Sequence, residues 1–111
     1  MRTDPYVDVA LRDGATAAFL LGADSDAETV EDIDVTVTLA DGSRWSGSML
    51  TLAQIARIMA DWSVSGECLN GAYFQSQDLV IVKEAGIPAM TRLLDGLLAT
   101  GDFHNTLVRL D

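Results

Sequence analysis

The side chains best suited to catalysis or metal binding are few in this sequence. It contains one cysteine, Cys68, and one histidine, His104. A catalytic pair of these two would also need a third group to orient the base. One cysteine excludes an internal disulfide, and the two residues are too few soft ligands for a self-contained zinc site. We therefore predict no metal site, a structural Cys68, an exposed His104 and a reducing compartment.

An acidic segment, DSDAETVEDID at positions 24–34, has oxygen ligands at alternate positions, as calcium sites do. Counted from Asp24, the sixth and twelfth positions are Thr29 and Val35, where an EF-hand requires glycine and glutamate. The segment is therefore interpreted as a solvated acidic loop. Its like charges repel one another unless a positive partner relieves them.

Motifs for covalent catalysis and for cofactors are also missing. Ser46 and Ser48 fall in a predicted strand and lack the flanking glycines of a nucleophile elbow. Gly42 and Gly47 are not followed by the Lys-Ser or Lys-Thr of a phosphate loop, because the only lysine is Lys83. We predict no catalytic residue and no cofactor.

The overall charge favours some classes of binding partner over others. The 111 residues include 17 acidic and 7 basic side chains, for a net charge of −10. Nucleic-acid binding is disfavoured, because that affinity comes largely from lysine and arginine. The start of the sequence lacks an apolar run of signal-peptide length, and no segment is long enough to span a membrane. We expect a cytoplasmic protein without membrane contact, and the excess of arginine over lysine is typical of bacteria with GC-rich DNA.

The negative charge is concentrated early in the chain. Residues 1–42 carry ten acids and two bases, a balance of −8, whereas residues 43–111 carry seven acids and five bases, a balance of −2. A dense carboxylate loop steers toward a basic surface. The predicted protein-binding residues are Asp24, Asp26, Glu28, Glu31, Asp32 and Asp34.

Apolar alternation predicts two β-hairpins, each with an Asp-Gly turn. Three-residue bulged loops bring the apolar faces of the paired strands together, whereas two-residue loops would oppose apolar to polar side chains. We expect a neighbouring helix to fill the gap opposite a glycine in the second hairpin. The predicted pairs are Val7–Phe19 and Val9–Ala17 in the first hairpin, and Ile33–Met49, Val35–Gly47 and Val37–Trp45 in the second.

Two helices are predicted from apolar periodicity and from signals at their ends. The first begins after Thr51, an N-cap with Gln54 three residues on, and stops at Ser65-Gly66. The second has Pro88 near its start and Gly101 just beyond its end. The predicted core residues of the two helices are Leu52, Ile55, Ala56, Met59 and Trp62 in the first, and Met90, Leu93, Leu94, Leu97 and Leu98 in the second.

Two short strands are predicted between the helices, at 72–75 and at Leu79–Val82. Four consecutive aliphatic residues in the latter predict a strand covered on both faces and central in its sheet. Residues 102–111 fit either an edge strand or a helical turn. The predicted fold is a single α+β domain over residues 1–111, a two-layer sandwich in which a mainly antiparallel sheet of about six strands carries two helices on one face.

Three stretches, ADGSRW at 40–45, TLAQIARIM at 51–59 and DLVIV at 78–82, resemble small uncharacterised bacterial proteins. In size and acidity the chain is similar to the immunity proteins of bacterial toxin systems. The resemblance implies a role in protein binding and carries over no functional residue.

The leading hypothesis is a small acidic cytoplasmic module that binds a protein with a basic surface. Its most specific form is an immunity-type inhibitor of a basic toxin such as a nuclease. The competing interpretation is that the acidic surface confers solubility only. A second hypothesis is a homo-oligomeric structural or regulatory domain, such as a homodimer joined through sheet edges or aromatic side chains, and a small enzyme is the third.

Overall fold

The computed structural model describes residues 5–111, which form a six-stranded sheet and several helices. The strands are β1 (Tyr6–Ala10), β2 (Thr16–Leu20), β3 (Asp32–Thr38), β4 (Arg44–Thr51), β5 (Leu79–Val82) and β6 (Val108–Arg109). The helices are α1 (Leu52–Ser65), α2 (Glu67–Gly71), α3 (Ile87–Thr100) and α4 (Phe103–Thr106). The first four strands are antiparallel neighbours, and the predicted α+β class with a mainly antiparallel sheet is confirmed.

The two hairpins have the predicted registers. Val9 pairs with Ala17 in the first, and Val37 pairs with Trp45 in the second. The gap over Gly47 is filled by Leu107, whose Cγ would lie 3.4 Å from a β-carbon at that glycine. Leu107 directly follows α4 in an extended conformation, so the filling side chain comes from the residue after a short helix and not from a helix as expected.

One edge of β4 is shared by two strands. β5 pairs in parallel with the second half of β4, where Ser48 lies opposite Leu79. β6 pairs antiparallel with the first half, where Trp45 lies opposite Arg109. Residues 102–111 thus form both of the structures left open by the sequence, a helical turn and then a short edge strand.

The core lies between one face of the sheet and α3 with α4. Alternate strand residues point to this face, and the other face, which carries Asp34, Ser46 and Ser48, is called the outer face. Burying a large apolar side chain contributes roughly 1.5–3 kcal/mol. The largest fully buried side chains are Phe19, Val37, Met49, Met90, Leu94 and Phe103. Of the predicted stripe of α3, Met90 and Leu94 are fully buried, and Leu93, Leu97 and Leu98 pack against the core in part.

Helix α1 begins as predicted but lies outside this core. The Thr51 hydroxyl accepts a hydrogen bond from the Gln54 amide at 3.2 Å. No residue of α1 is buried, and the Trp62 ring stacks on Phe74 with 5.6 Å between centroids. Met59 and Trp62 are therefore half-buried, unlike the core side chains expected from the periodicity. Helical spacing shows that one face is apolar, but not how deeply that face is covered.

Two strand predictions were wrong. Residues 72–75 form no strand, because Cys68, Leu69 and Asn70 adopt left-handed conformations in α2 and an irregular segment follows. β5 is not central, since it ends the sheet and pairs with β4 alone. Its Val80 and Val82 are buried, but Ile81 is 52% exposed, so its aliphatic composition reflects one covered face and one open face.

No helix among residues 5–111 is long and apolar enough to cross a membrane. Residues 1–4, where the sequence lacks an apolar run, lie outside the described residues.

The packing of Leu107 over Gly47 predicts a specific loss of stability. Leu107→Ala is expected to lower the free energy of unfolding by about 2–4 kcal/mol, because it removes a buried side chain and leaves a cavity. Leu110→Ala in the same tail is the matched control, since Leu110 is 49% exposed. It is expected to change stability by less than about 0.5 kcal/mol. Urea unfolding measures both, and equal losses would contradict this account of the core.

Candidate functional site

The loop between β2 and β3, residues 21–31, carries four of the predicted acids, and three of them, Asp24, Asp26 and Glu28, are exposed. Asp26 fixes the local turn. Its Oδ1 accepts the Glu28 amide at 2.8 Å, and its carbonyl oxygen accepts the Val30 amide at 2.9 Å. The loop backbone is therefore ordered by its own hydrogen bonds, and the carboxylates project from a defined turn.

The same loop is attached to the start of α3. The Ala27 carbonyl accepts the Ile87 amide at 2.7 Å, and the Val30 carbonyl accepts the Gly86 amide at 2.8 Å. Gly86 has a φ of 96°, and a β-carbon there would overlap the Glu28 carbonyl oxygen. Because Val30 is also buried in the core, the loop is held from the inside while its carboxylates face solvent.

Glu31 has a different environment from the other predicted acids. Its carboxylate is paired with the Arg57 guanidinium and accepts the Thr51 hydroxyl at 3.0 Å. Its carbonyl also accepts the Thr51 amide at 3.0 Å. Glu31 thus joins the start of β3 to the start of α1, and its charge is offset by Arg57. Among residues 5–111 it is the one member of the predicted set that forms an ion pair.

Asp32 and Asp34 lie on the outer face of β3, because Ile33 and Val35 take the alternate positions toward the core. Asp32 accepts a long hydrogen bond of 3.4 Å from the Gln54 side chain, and Asp34 accepts the Ser48 hydroxyl at 2.9 Å. The structure therefore divides the six predicted residues into a loop group, a strand group and the neutralised Glu31 between them.

A cluster of hydroxyls around Asp78 was missed by sequence reasoning. The Asp78 carboxylate accepts hydrogen bonds from Ser46 and Ser48 at 2.8 Å and from Ser76 at 3.0 Å. A hydroxyl has one proton, so Ser48 donates to either Asp78 or Asp34 at a time. The alternation in β4 already placed both of its serines on the outer face, but only the parallel pairing with β5 brings Asp78 beside them.

These hydrogen bonds change the acidity of Asp78. Burial disfavours its charged form, but the donated bonds from Ser46, Ser48 and Ser76 outweigh burial and hold the pKa of Asp78 below its ordinary value. Asp78 therefore stays ionised on the outer face. It lies near the strand group of acids, because the Ser48 hydroxyl is within hydrogen-bond distance of both Asp78 and Asp34.

The residues considered for metal or nucleophilic chemistry do not assemble into a site. No group of three or more His, Cys, Asp or Glu residues in the described part of the chain could hold a metal ion. Cys68 lies in the left-handed turn of α2, whereas the His104 ring packs edge-on against Trp45 with 4.9 Å between centroids.

Comparisons of the chain with protein-family models, with curated proteins and with solved structures found no match. What the protein does is therefore inferred from the chemistry of its surface.

Asp78→Asn is expected to destabilise the protein and to flatten its response to acid. The pKa of folded Asp78 lies below the ordinary value of 3.8, so unfolding takes up a proton near that pH. The stabilisation from this carboxylate is complete above that value and is lost as the pH falls through the folded pKa. We expect Asp78→Asn to lose about 1–2 kcal/mol at neutral pH, because bonds to a charged acceptor become bonds to a neutral one.

Urea unfolding at a series of pH values measures this effect. Below pH ~4 the stability of Asp78→Asn should fall less steeply than that of the wild type. Asp61→Asn is the control, because Asp61 is exposed on α1. A pH profile of Asp78→Asn parallel to that of the wild type would show that the serine bonds do not stabilise the ionised carboxylate.

Proposed function

We propose that this protein is a small acidic module that binds a protein with a basic surface through the loop between β2 and β3. The observation that carries the proposal is the anchoring of that loop. Ala27 and Val30 are bonded to the start of α3, while Asp24, Asp26 and Glu28 are exposed and have no ion pair within residues 5–111. A preorganised loop loses less conformational entropy on binding.

The arrangement of the basic side chains supports an external partner. No arginine of the described chain pairs with Asp24, Asp26 or Glu28: Arg12 pairs with Asp13, Arg44 with Asp111, Arg57 with Glu31 and Arg92 with Glu84. Another, Arg109, lies over the Trp45 ring. The charges of Asp24, Asp26 and Glu28 are thus not paired with these side chains, and they act on cationic surfaces within about a Debye length, ~8–10 Å in ordinary salt.

An immunity-type inhibitor of a basic toxin, acting in the cytoplasm, is the specific form of this proposal. An enzyme that cleaves nucleic acid presents a positive surface to phosphates. Exposed carboxylates can steer toward that surface and compete for it. Asp32 and Asp34 extend the acidic surface along β3, two residues apart on the same face of the strand.

The test uses the partner recovered from the native host by the immobilised protein at low salt. The triple variant Asp24→Asn/Asp26→Asn/Glu28→Gln removes three charges. The side-chain oxygen of the asparagine at position 26 can still accept a hydrogen bond from the backbone N–H of residue 28. We expect this variant to bind at least about tenfold more weakly at low salt, because attraction to the basic surface is reduced. Calorimetric titration over a range of salt concentrations measures the affinity.

A control variant of equal net charge is Asp61→Asn/Glu67→Gln/Asp102→Asn, which neutralises exposed acids outside the acidic loop. It should bind nearly as tightly as the wild type. For a nuclease partner, inhibition of cleavage should follow the same order. Equal affinity of the two triple variants, or affinity independent of salt, would refute binding through the acidic loop.

A further inference from the structure

The free edge of β5 has backbone groups that point away from the sheet. The Asp78 carbonyl accepts the Ser48 amide at 2.8 Å, so position 78 faces β4. Because successive residues of a strand alternate in the direction of their backbone groups, Val80 also faces β4, whereas the N–H and C=O of Ile81 point to the opposite side. β5 is the last strand of the sheet, and no strand within residues 5–111 pairs with that side.

Charges, prolines and bulges within an edge strand hinder pairing between molecules, as does a very short strand. β5 is short, with four residues, but it carries no charge, proline or bulge. At the other end of the sheet, β1 carries Asp8 at its centre. β5 has the sequence LVIV, and its Ile81 side chain is 52% exposed. The two edges therefore differ: β1 carries a charge within the strand, whereas the charges next to β5, Asp78 and Lys83, flank it.

We propose that β5 pairs in antiparallel orientation with β5 of a second copy of this chain, about a twofold axis. Asp78 precedes the strand and Lys83 follows it. The antiparallel orientation brings Lys83 of each copy to within about one residue of Asp78 of the second copy, a carboxylate that bonds to serine hydroxyls and to no cation in the described part of its own chain. Lys83 forms no ion pair with any residue of the described chain.

The same pairing covers the exposed aliphatic side chains. Side chains directly opposite each other in an antiparallel pair lie on the same face of the sheet. With the outer faces of the two copies aligned, Ile81 lies beside Ile81 or Leu79 of the second copy. The twofold arrangement therefore places open backbone groups, apolar side chains and residues of opposite charge near one another in a single pairing.

The dimer is tested by sedimentation equilibrium over a range of protein and salt concentrations. We expect reversible dimers whose affinity increases with salt, because screening reduces repulsion between two chains of net charge −10. Binding of a basic partner responds to salt in the opposite direction, so failure of one proposal is distinguishable from failure of the other. Hydrogen exchange locates the interface: protection of the Ile81 amide should increase with protein concentration.

Ile81→Lys is expected to weaken the dimer at least about tenfold, because it replaces an apolar cross-strand pair with like charges. Leu20→Lys is the matched control, since Leu20 is 41% exposed but lies on β2, inside the sheet. It should leave the dimer unchanged. Lys83→Glu provides a second test that keeps the apolar residues, and it should also weaken the dimer, whereas Lys83→Arg should not.

A monomer at every concentration would overturn the proposal. So would a dimer in which Ile81→Lys and Lys83→Glu associate as tightly as the wild type. An Ile81 amide that stays unprotected in the dimer, or becomes protected only by a strand of another protein, would equally exclude β5 pairing between copies.

Discussion

The structure depends on the division of one edge of β4 between two partners. β5 occupies the second half of that edge and β6 the first half, so the segment after α1 and the end of the chain must converge there. On the core side, this convergence brings Leu107 over Gly47. On the outer face, it brings Asp78 to the serines of β4. The first contact accompanies the pairing of β6 with β4, and the second accompanies the pairing of β5 with β4.

The positions of the acids follow from the same pattern of alternation. Aliphatic residues occupy one face of β3, so its aspartates must point to the other. Some carboxylates are then used by the fold. Asp78 accepts hydrogen bonds from serines, and Glu31 joins β3 to α1. In the second hairpin turn, hydrogen bonds from Ser43 hold the pKa of Asp41 below its ordinary value. Asp24 and Glu28 accept no hydrogen bond through their carboxylates within the described residues. These two charges therefore do not stabilise the fold through hydrogen bonds.

Local features could be predicted from the sequence, and long-range features could not. Hairpin register follows from alternation and turn length, and the ends of α1 and α3 follow from Thr51, Pro88 and flanking residues. The edge position of β5 depends on a parallel partner about 30 residues away, which periodicity does not encode. For the candidate site, charge density identified the acidic segment, but not the neutralisation of Glu31 by Arg57 from another element.

The anchored loop bears on the choice between binding and solubility. Solubility depends on net charge and tolerates any arrangement of it over the surface. Clustering like charges in one turn raises the repulsion between them. The same carboxylates spread over flexible segments would give equal solubility with less destabilisation of the folded state. Here the turn is instead fixed by Asp26 and bonded to α3 at Gly86, where no β-carbon fits. A fixed loop whose Asp24, Asp26 and Glu28 have no ion pair within residues 5–111 favours binding over solubility alone, because the entropy of ordering the loop is lost on folding and not again on binding.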